Sequence, residues 1–382
     1  MKKNSFIKNV LFLLSSIVIS CLLEGCYYDD QVVTNAHTLD IPIKQMIRTN
    51  QFDLNHIIEN VAIVELGGNE GDGIIGSIRD IKLIDDYIFV SDGSKIHIYD
   101  TNGTPLYILN RKGRGHGEYL SLKTFDVDAT NKRIIIYDST QHKLLYYSFE
   151  CSFLKETKID KDFSFFDFAV MPNSDILCYY PKNDGIGPRG LWLSDSNCVF
   201  KKQLVEIEDS YNFRPIRNKY LIHINDSCVG LMGGEDKNIF YSVNNGAINE
   251  EYYVKCDIRR PKRLIKKRIP SDNEQKMLYT KDGYLETDNT LFFDMIDGES
   301  KVTRIIVDKH SNTMYRIYDG NDIIVQGIVE ILPYFRFSDH NRLIGYYSAN
   351  TILSNNILKE AFPNIDENSN PVLFLVTTKP IN

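Results

Sequence analysis

"RKGRGHGEYLS", residues 111–121, places glycines at 113, 115 and 117, with Arg111, Lys112 and Arg114 among them and Glu118 behind. Alternating glycines beside cations suit either a phosphate cradle or a tight corner between two small sheets. A phosphate-binding glycine loop needs a helix whose N-terminus faces the anion. Here the stretch leaves "PLYILN" (105–110) and enters "LKTFDVD" (122–128), and both read as strands. The loop is therefore a corner, with its glycines expected at positive φ. Glu118, in the same loop as Gly115 and Gly117, is expected to accept hydrogen bonds from glycine N–H groups. Arg111 and Arg114 would face either solvent or an anionic glycan or peptide.

The strands on either side of this corner repeat. "IRDIKLI" (78–84), "YIFVSD" (87–92), "KIHIYD" (95–100) and "PLYILN" are separated by "DD", "GS" and "TNG", which are turn residues. The same four-strand unit returns as "KTFDVD", "RIIIYD", "KLLYYSF" and "FLKETKI" (123–159), and as "SFFDFAV", "DILCYY", "GLWLSD" and "VFKKQLV" (164–205). Fainter copies begin at "KYLIHI" (219–224), "GYLET" (283–287) and "YFRFSD" (334–339). Four-stranded units at intervals of roughly 40–45 residues are the mark of a β-propeller. The sixth unit has three strands and a helical pause near 351–361, ending in "PVLFLVTTK", while "NVAIVEL" (60–66) stands unpaired ahead of the first unit. The expected fold is all-β: a six-bladed β-propeller of four-stranded antiparallel blades, its last blade closed by that N-terminal strand. Closure of this kind removes the exposed edges that invite aggregation.

Composition agrees. The 382 residues are 43% hydrophobic and 25% charged, with 23 Tyr and 20 Phe, and aromatic content favours sheet. A net charge of −7 speaks against nucleic acid as a partner.

The N-terminus reads differently. Lys2, Lys3 and Lys8 precede an apolar run from Val10 to Leu23, too short for a span of about 20 residues and suited to a signal peptide. Residues 1–26 resemble a bacterial lipoprotein signal. Cys26, followed by "YYDD", is the expected lipidated cysteine, with Cys21 behind "VISC" as the alternative. Residues 27–57 would be a tether and lead-in segment, and 58–382 the propeller. The anchor would hold the protein in the cell envelope, at the outer membrane or cell surface, with the periplasmic side as the alternative. Cys151, Cys178, Cys198, Cys228 and Cys256 show no CxxC spacing. They read mainly as small buried residues, although an exported chain allows one or two disulfides.

Several separated motifs make the chain resemble the six-bladed propeller lipoproteins of Bacteroidota, relatives of NHL-repeat and TolB-type propellers. They are "GIIGSIRDIKL" (73–83), "GRGHGEY" (113–119, with His116 where proline is usual) and "NPVLFLVTTK" (370–379). The resemblance spans roughly 55–382. It implies a fold and an export route, and little about activity.

Candidate chemistry is sparse. Aligned on the ends of their second strands, where Asp92 matches Asp138, the first three units place Asp80, Asp126 and Asp167 at equivalent positions on successive first strands. Such carboxylates could converge on Ca²⁺, which takes six to eight oxygens, or accept backbone hydrogen bonds between blades. No other cofactor is expected. His223 and Glu286, on the fourth and fifth first strands, could line a polar channel and supply a base, or be satisfied core residues. No GxSxG or HExxH motif occurs. "IRRPKRLIKKRIPS" (258–271) carries seven cations between Arg259 and Arg268 and reads as a basic insertion, near 258–282, with a helix that would pack on the propeller edge or touch anionic lipid. The functional expectation is a monomeric, lipid-anchored binding module for a protein, peptide or glycan. The alternative is a metal-dependent hydrolase or lyase of lactonase type, working at channel-mouth carboxylates.

Overall fold

The computed structural model describes residues 37–42, 47–49, 52–160, 163–180, 188–206, 220–232, 239–255, 279–280, 283–296, 302–317, 323–324 and 331–380. The leader with Cys21 and Cys26, the basic run 258–271 and Cys256 lie outside them. Six four-stranded antiparallel blades form a ring. Blade 1 comprises Asp80–Ile84, Tyr87–Ser91, Ile96–Asp100 and Pro105–Leu109. Blade 2 is Thr124–Asp128, Arg133–Asp138, Lys143–Ser148 and Phe153–Lys158. Blade 3 is Asp167–Val170, Ile176–Tyr180, Gly190–Ser194 and Phe200–Glu206. The inner strands of blades 4, 5 and 6 are Leu221–His223, Leu285–Glu286 and Phe335–Asp339. In blade 5, Tyr279–Thr280, at the end of the expected insertion, pairs with the same second strand as Leu285–Glu286 does.

The ring closes as the sequence suggests. Ile58–Glu65 runs antiparallel to Val372–Thr378 and completes blade 6. The helical pause consists of two short helices, Ala349–Ser354 and Asn356–Ala361. The segment ahead of the closing strand also joins the rim. His37–Pro42 adds a parallel fifth strand to blade 4, and Ile47–Thr49 adds one to blade 5.

The strand patterns explain the packing. In "RIIIYD" of blade 2 every side chain from Ile134 to Asp138 is buried, because successive residues point to opposite faces. Ile134 and Ile136 pack with Phe89 and Ile98 of blade 1, whereas Ile135 and Tyr137 pack with Phe168 and Trp192 of blade 3. A middle strand of a propeller blade is covered on both sides, so it is apolar throughout instead of alternating. Each fully buried large side chain contributes about 1.5–3 kcal/mol.

The 111–121 stretch is indeed a corner, and its glycines serve two different needs. Only Gly117 has positive φ, at 71°, and a Cβ there would lie 2.8 Å from the Phe153 ring. At Gly113 the need is space, since a Cβ would stand 2.0 Å from Glu118 Oε2. The Gly115 N–H donates to that Glu118 oxygen at 2.7 Å, and the Gly117 N–H donates to Glu156 at 3.3 Å. The Leu120 N–H, donating to Asp138 Oδ2 at 2.6 Å, ties the corner to blade 2.

Gly117→Val should therefore destabilise the protein by more than about 1 kcal/mol, read from urea denaturation. Gly115→Ala, which meets only the end of the flexible Glu118 side chain at 3.0 Å, should cost clearly less.

Candidate functional site

Two polar regions lie along the inner strands. The first is a network inside the channel, centred on a lysine. Lys82, on the inner strand of blade 1, is 2% exposed. Its Nζ lies 3.1 Å from Asp126 Oδ1 of blade 2 and 3.3 Å from Asp339 Oδ1 of blade 6. Asp126 Oδ2 accepts from the Val170 N–H of blade 3 at 2.6 Å and lies 2.8 Å from His223 Nε2 of blade 4. Asp339 Oδ2 accepts from the Leu83 N–H at 2.7 Å and lies 2.8 Å from His340 Nδ1. The His223 and His340 rings stack, with centroids 5.0 Å apart.

Electrostatics follow from this geometry. Burial disfavours the Lys82 ammonium, but the charges of Asp126, then Asp339 and Asp80, hold it protonated well above its ordinary range. Burial likewise opposes the Asp339 carboxylate, and Lys82 followed by His340 overrides it, keeping Asp339 far below the usual carboxylate range. The two histidines move apart. Burial lowers His223 despite Asp126, and Lys82 adds to the fall. For His340 burial also acts downward, yet the Asp339 carboxylate prevails and raises it.

Beyond the histidines the channel is stitched across. The His340 and Asn341 N–H groups donate to the carbonyls of His223 and Ile224, at 2.9 and 2.6 Å. His340 and Asn341 both occupy the left-handed region, with φ of 45° and 61°, which makes the tight two-residue turn that brings blade 6 to blade 4. Asp288 of blade 5 joins both: its Oδ1 accepts from Asn225 Nδ2 at 2.7 Å, and its N–H donates to Asn341 Oδ1 at 3.0 Å. Three inner hairpins thus plug one end of the channel.

The sequence-singled aspartates do not meet. Counted from their hairpin turns, Asp126, Asp167 and Asp80 occupy the third, fourth and fifth strand pairs. The turns differ in length, being two residues in blade 1 and four in blade 2, so counting back from the second strand misaligns them. Asp126 lies level with Lys82, not Asp80. Asp167 accepts from Thr124 Oγ1 at 2.8 Å, and from the Tyr220 and Leu221 N–H groups at 2.7 and 2.9 Å. It thereby joins blades 2, 3 and 4. Asp80 Oδ1 accepts from the Ile81 N–H at 2.9 Å. Among the described residues no group of three or more His, Cys, Asp or Glu side chains is spaced to hold a metal ion. His223 is in the network, whereas Glu286 belongs to a separate cluster with the Tyr284 hydroxyl and Lys309 Nζ, the latter at 3.0 Å. Lys82, Asp339 and His340 were not singled out from sequence, although a lysine inside the apolar "DIKLI" was a visible signal.

The second region is a cleft of about 420 Å³ at the other end of the inner strands, between blades 1 and 2. Arg79 and Lys123 supply cations to its wall, and Ser91, Ser94, Ser121 and Thr124 supply hydroxyls. Asp80 and Asp92 also line it. Asp92 is fixed by the Ser94 and Lys95 N–H groups at 2.8 and 2.9 Å. The glycine corner borders this cleft, because the Tyr119 hydroxyl donates to the Ser94 carbonyl at 2.8 Å. Arg111 and Arg114 are exposed on that corner.

Comparison with known proteins supports the architecture. The family described as "Domain of unknown function (DUF4934)" matches residues 38–377. A protein of Bacteroides fragilis NCTC 9343 described as exported is similar in structure, with 17% identity and a TM-score of 0.69, over 90% of this chain and 100% of that one. A member of the DUF4221 family from Bacteroides vulgatus ATCC 8482 shows 12% identity and a TM-score of 0.48, over 85% of this chain and 98% of that one. No curated protein matches the chain.

Two outcomes test the network. Lys82→Met leaves two buried carboxylates without their shared cation and should destabilise the fold by about 3–5 kcal/mol, read from chemical denaturation. The histidines should act in opposite directions from their ordinary value of 6.5. His340, raised above its ordinary 6.5, contributes stability that is complete below that value and lost as pH rises through the folded pKa. His223, lowered from 6.5, contributes stability that is lost as pH falls below that value. His340→Asn should flatten the alkaline-side decline in unfolding free energy, and His223→Gln the acid-side decline.

Proposed function

The chain belongs to the DUF4934 family, and we propose that it is an extracytoplasmic, lipid-anchored binding module that takes an acidic, hydroxyl-rich ligand, an anionic glycan, in the cleft between blades 1 and 2. The observation that carries this reading is the contrast between the two ends of the channel. One end is filled by the Lys82 network and the joined hairpins of blades 4, 5 and 6. The other presents an open polar recess whose accessible lining includes the cations Arg79 and Lys123 and the hydroxyls of Ser94 and Ser121. A few placed polar groups on a largely preformed concave wall are what small-ligand sites need.

Its chemistry is recognition. Arg79 offers a planar, bidentate donor suited to a carboxylate. Lys123, set 5.5 Å over the Phe166 ring, offers a point charge. The serines can donate to or accept from sugar hydroxyls. Asp80 and Asp92 would accept hydroxyl donors and discriminate against ligands that carry charge all along their length. Arg111 and Arg114 on the adjoining corner extend the cationic surface.

An extracytoplasmic location is supported by the basic and apolar leader, by the "YYDD" behind Cys26, and by the exported description of the Bacteroides fragilis relative. Nothing in the placement of Asp80, Asp126 and Asp167 favours a metal-dependent hydrolase or lyase over binding.

Binding of uronate-containing oligosaccharides, followed by calorimetry, should weaken at least tenfold in the Arg79→Ala, Lys123→Ala double variant and fall with added salt, with Tm unchanged. Binding that is indifferent to both substitutions would remove the cleft from consideration. Wild-type protein that binds acidic peptides but no glycan would overturn the ligand class.

A further inference from the structure

Blade 3 holds two thiols that neither the channel network nor the cleft uses. Cys178 lies in its second strand, opposite Trp192, and is 0% exposed. Cys198 lies in the turn joining the third and fourth strands and is 7% exposed. Both sit in the apolar layer between blades 2 and 3, beside Ile176 and Trp192. Both belong to the same buried cluster, and Cys198 adds to burial in pushing the Cys178 thiol up; both are reduced in this structure.

The backbone at Cys198 is a second, independent observation. Its φ is +64°, and its N–H donates to the Asp195 carbonyl at 3.0 Å. Blade 1 builds the same turn with Gly103, at φ +85°, bonded to the Asp100 carbonyl at 3.1 Å. Glycine holds that conformation without steric cost, whereas a side chain is strained there. Blade 3 keeps a cysteine at the strained position, and buries it in the layer that also holds Cys178. Cys151 occupies the matching turn position of blade 2, also at φ +64°. It packs in the layer between blades 1 and 2, away from this pair, and so serves as an internal control.

We propose that Cys178 and Cys198 form a disulfide that staples blade 3 in the exported protein. The inference rests on the extracytoplasmic reading above for its oxidising surroundings, because disulfides persist there and not in the cytosol. The oxidant is a disulfide-bearing small molecule or oxidoreductase. The Cys198 thiolate attacks one of its sulfurs, releasing one thiol and leaving a mixed disulfide. The Cys178 thiolate then attacks the Cys198 sulfur and releases the second thiol. The pair loses two electrons and two protons, and the oxidant's disulfide is reduced to two thiols. Burial pushes the Cys178 thiol well above its ordinary range, so exchange is slow once the blade has closed and belongs to the folding chain.

The test is refolding of the full chain in a buffer of reduced and oxidised glutathione. Thiols are then blocked with N-ethylmaleimide under denaturing conditions, and peptides are mapped before and after reduction. The expected result is a peptide linking Cys178 to Cys198, two hydrogens lighter than its reduced parts, with Cys151 blocked as a thiol. Cys198→Gly, which relieves the strained turn and should fold, is expected to leave Cys178 open to blocking. Reduction should lower Tm in the wild type and leave Cys198→Gly unmoved. Full blocking of Cys178 and Cys198 after refolding with oxidant, or linkage of either to Cys151, overturns the proposal. The same mapping on acid-quenched cells separates the two readings. A pair that links in glutathione buffer but is reduced in cells overturns the export reading and the staple's role there, while its capacity to form stands.

Discussion

A single buried ammonium holds the centre of this molecule. Apolar layers between blades supply most of the stabilisation, but they are non-directional and would tolerate small slips of one blade against the next. Lys82 does not tolerate them. It must reach carboxylates of both neighbouring blades, and each carboxylate is also fixed by a backbone N–H, that of Val170 for Asp126 and that of Leu83 for Asp339. A shift of one residue along any of these strands would break a buried charge contact, which is far costlier than a repacked methyl group.

The same constraint explains how the channel is filled. A six-fold ring leaves a hole on its axis, and this chain fills it asymmetrically. Blades 1, 2, 4 and 6 enter one ionic network, and blade 5 joins through its hairpin. Inner-strand acceptors repeatedly capture N–H groups of an adjoining blade: Asp167 those of Tyr220 and Leu221, and the Ser338 hydroxyl that of Glu286 at 3.0 Å. Carboxylates used in this way orient blades. What they leave accessible is the mouth between blades 1 and 2, where cations and hydroxyls stand on rigid strand ends and short turns.

How much of this was readable beforehand depends on the range of the interaction. Strand patterns, turn dipeptides and the lone "NVAIVEL" are local signals, and they led to six blades and the closing strand. The 111–121 corner was also read correctly, though only Gly117 needs positive φ while Gly113 needs empty space, a distinction that depends on Glu118 folding back. The ionic network was not legible in the same way. Lys82 and Asp339 are separated by most of the chain, and nothing near either one announces the other. The aspartates were misaligned because hairpin turns of unequal length shift depth in the channel without changing the spacing pattern. Cys178 and Cys198 are similar: their contact depends on a turn geometry that residue spacing does not disclose.

The closing strand also sets an order of events. Ile58–Glu65 is made early and its partner Val372–Thr378 last. Until the C-terminal strand emerges, the earliest blade strand has no mate, and until blade 6 is begun Lys82 has no Asp339 to face. Each nascent chain must therefore carry an unfinished ring until its last strand is made, and a lysine short of one carboxylate partner until Asp339 is made. Pairings between such distant segments form slowly and leave strand edges exposed meanwhile. A truncation near the C-terminus would for this reason act as a failure of assembly, felt by the first blade as much as by the last.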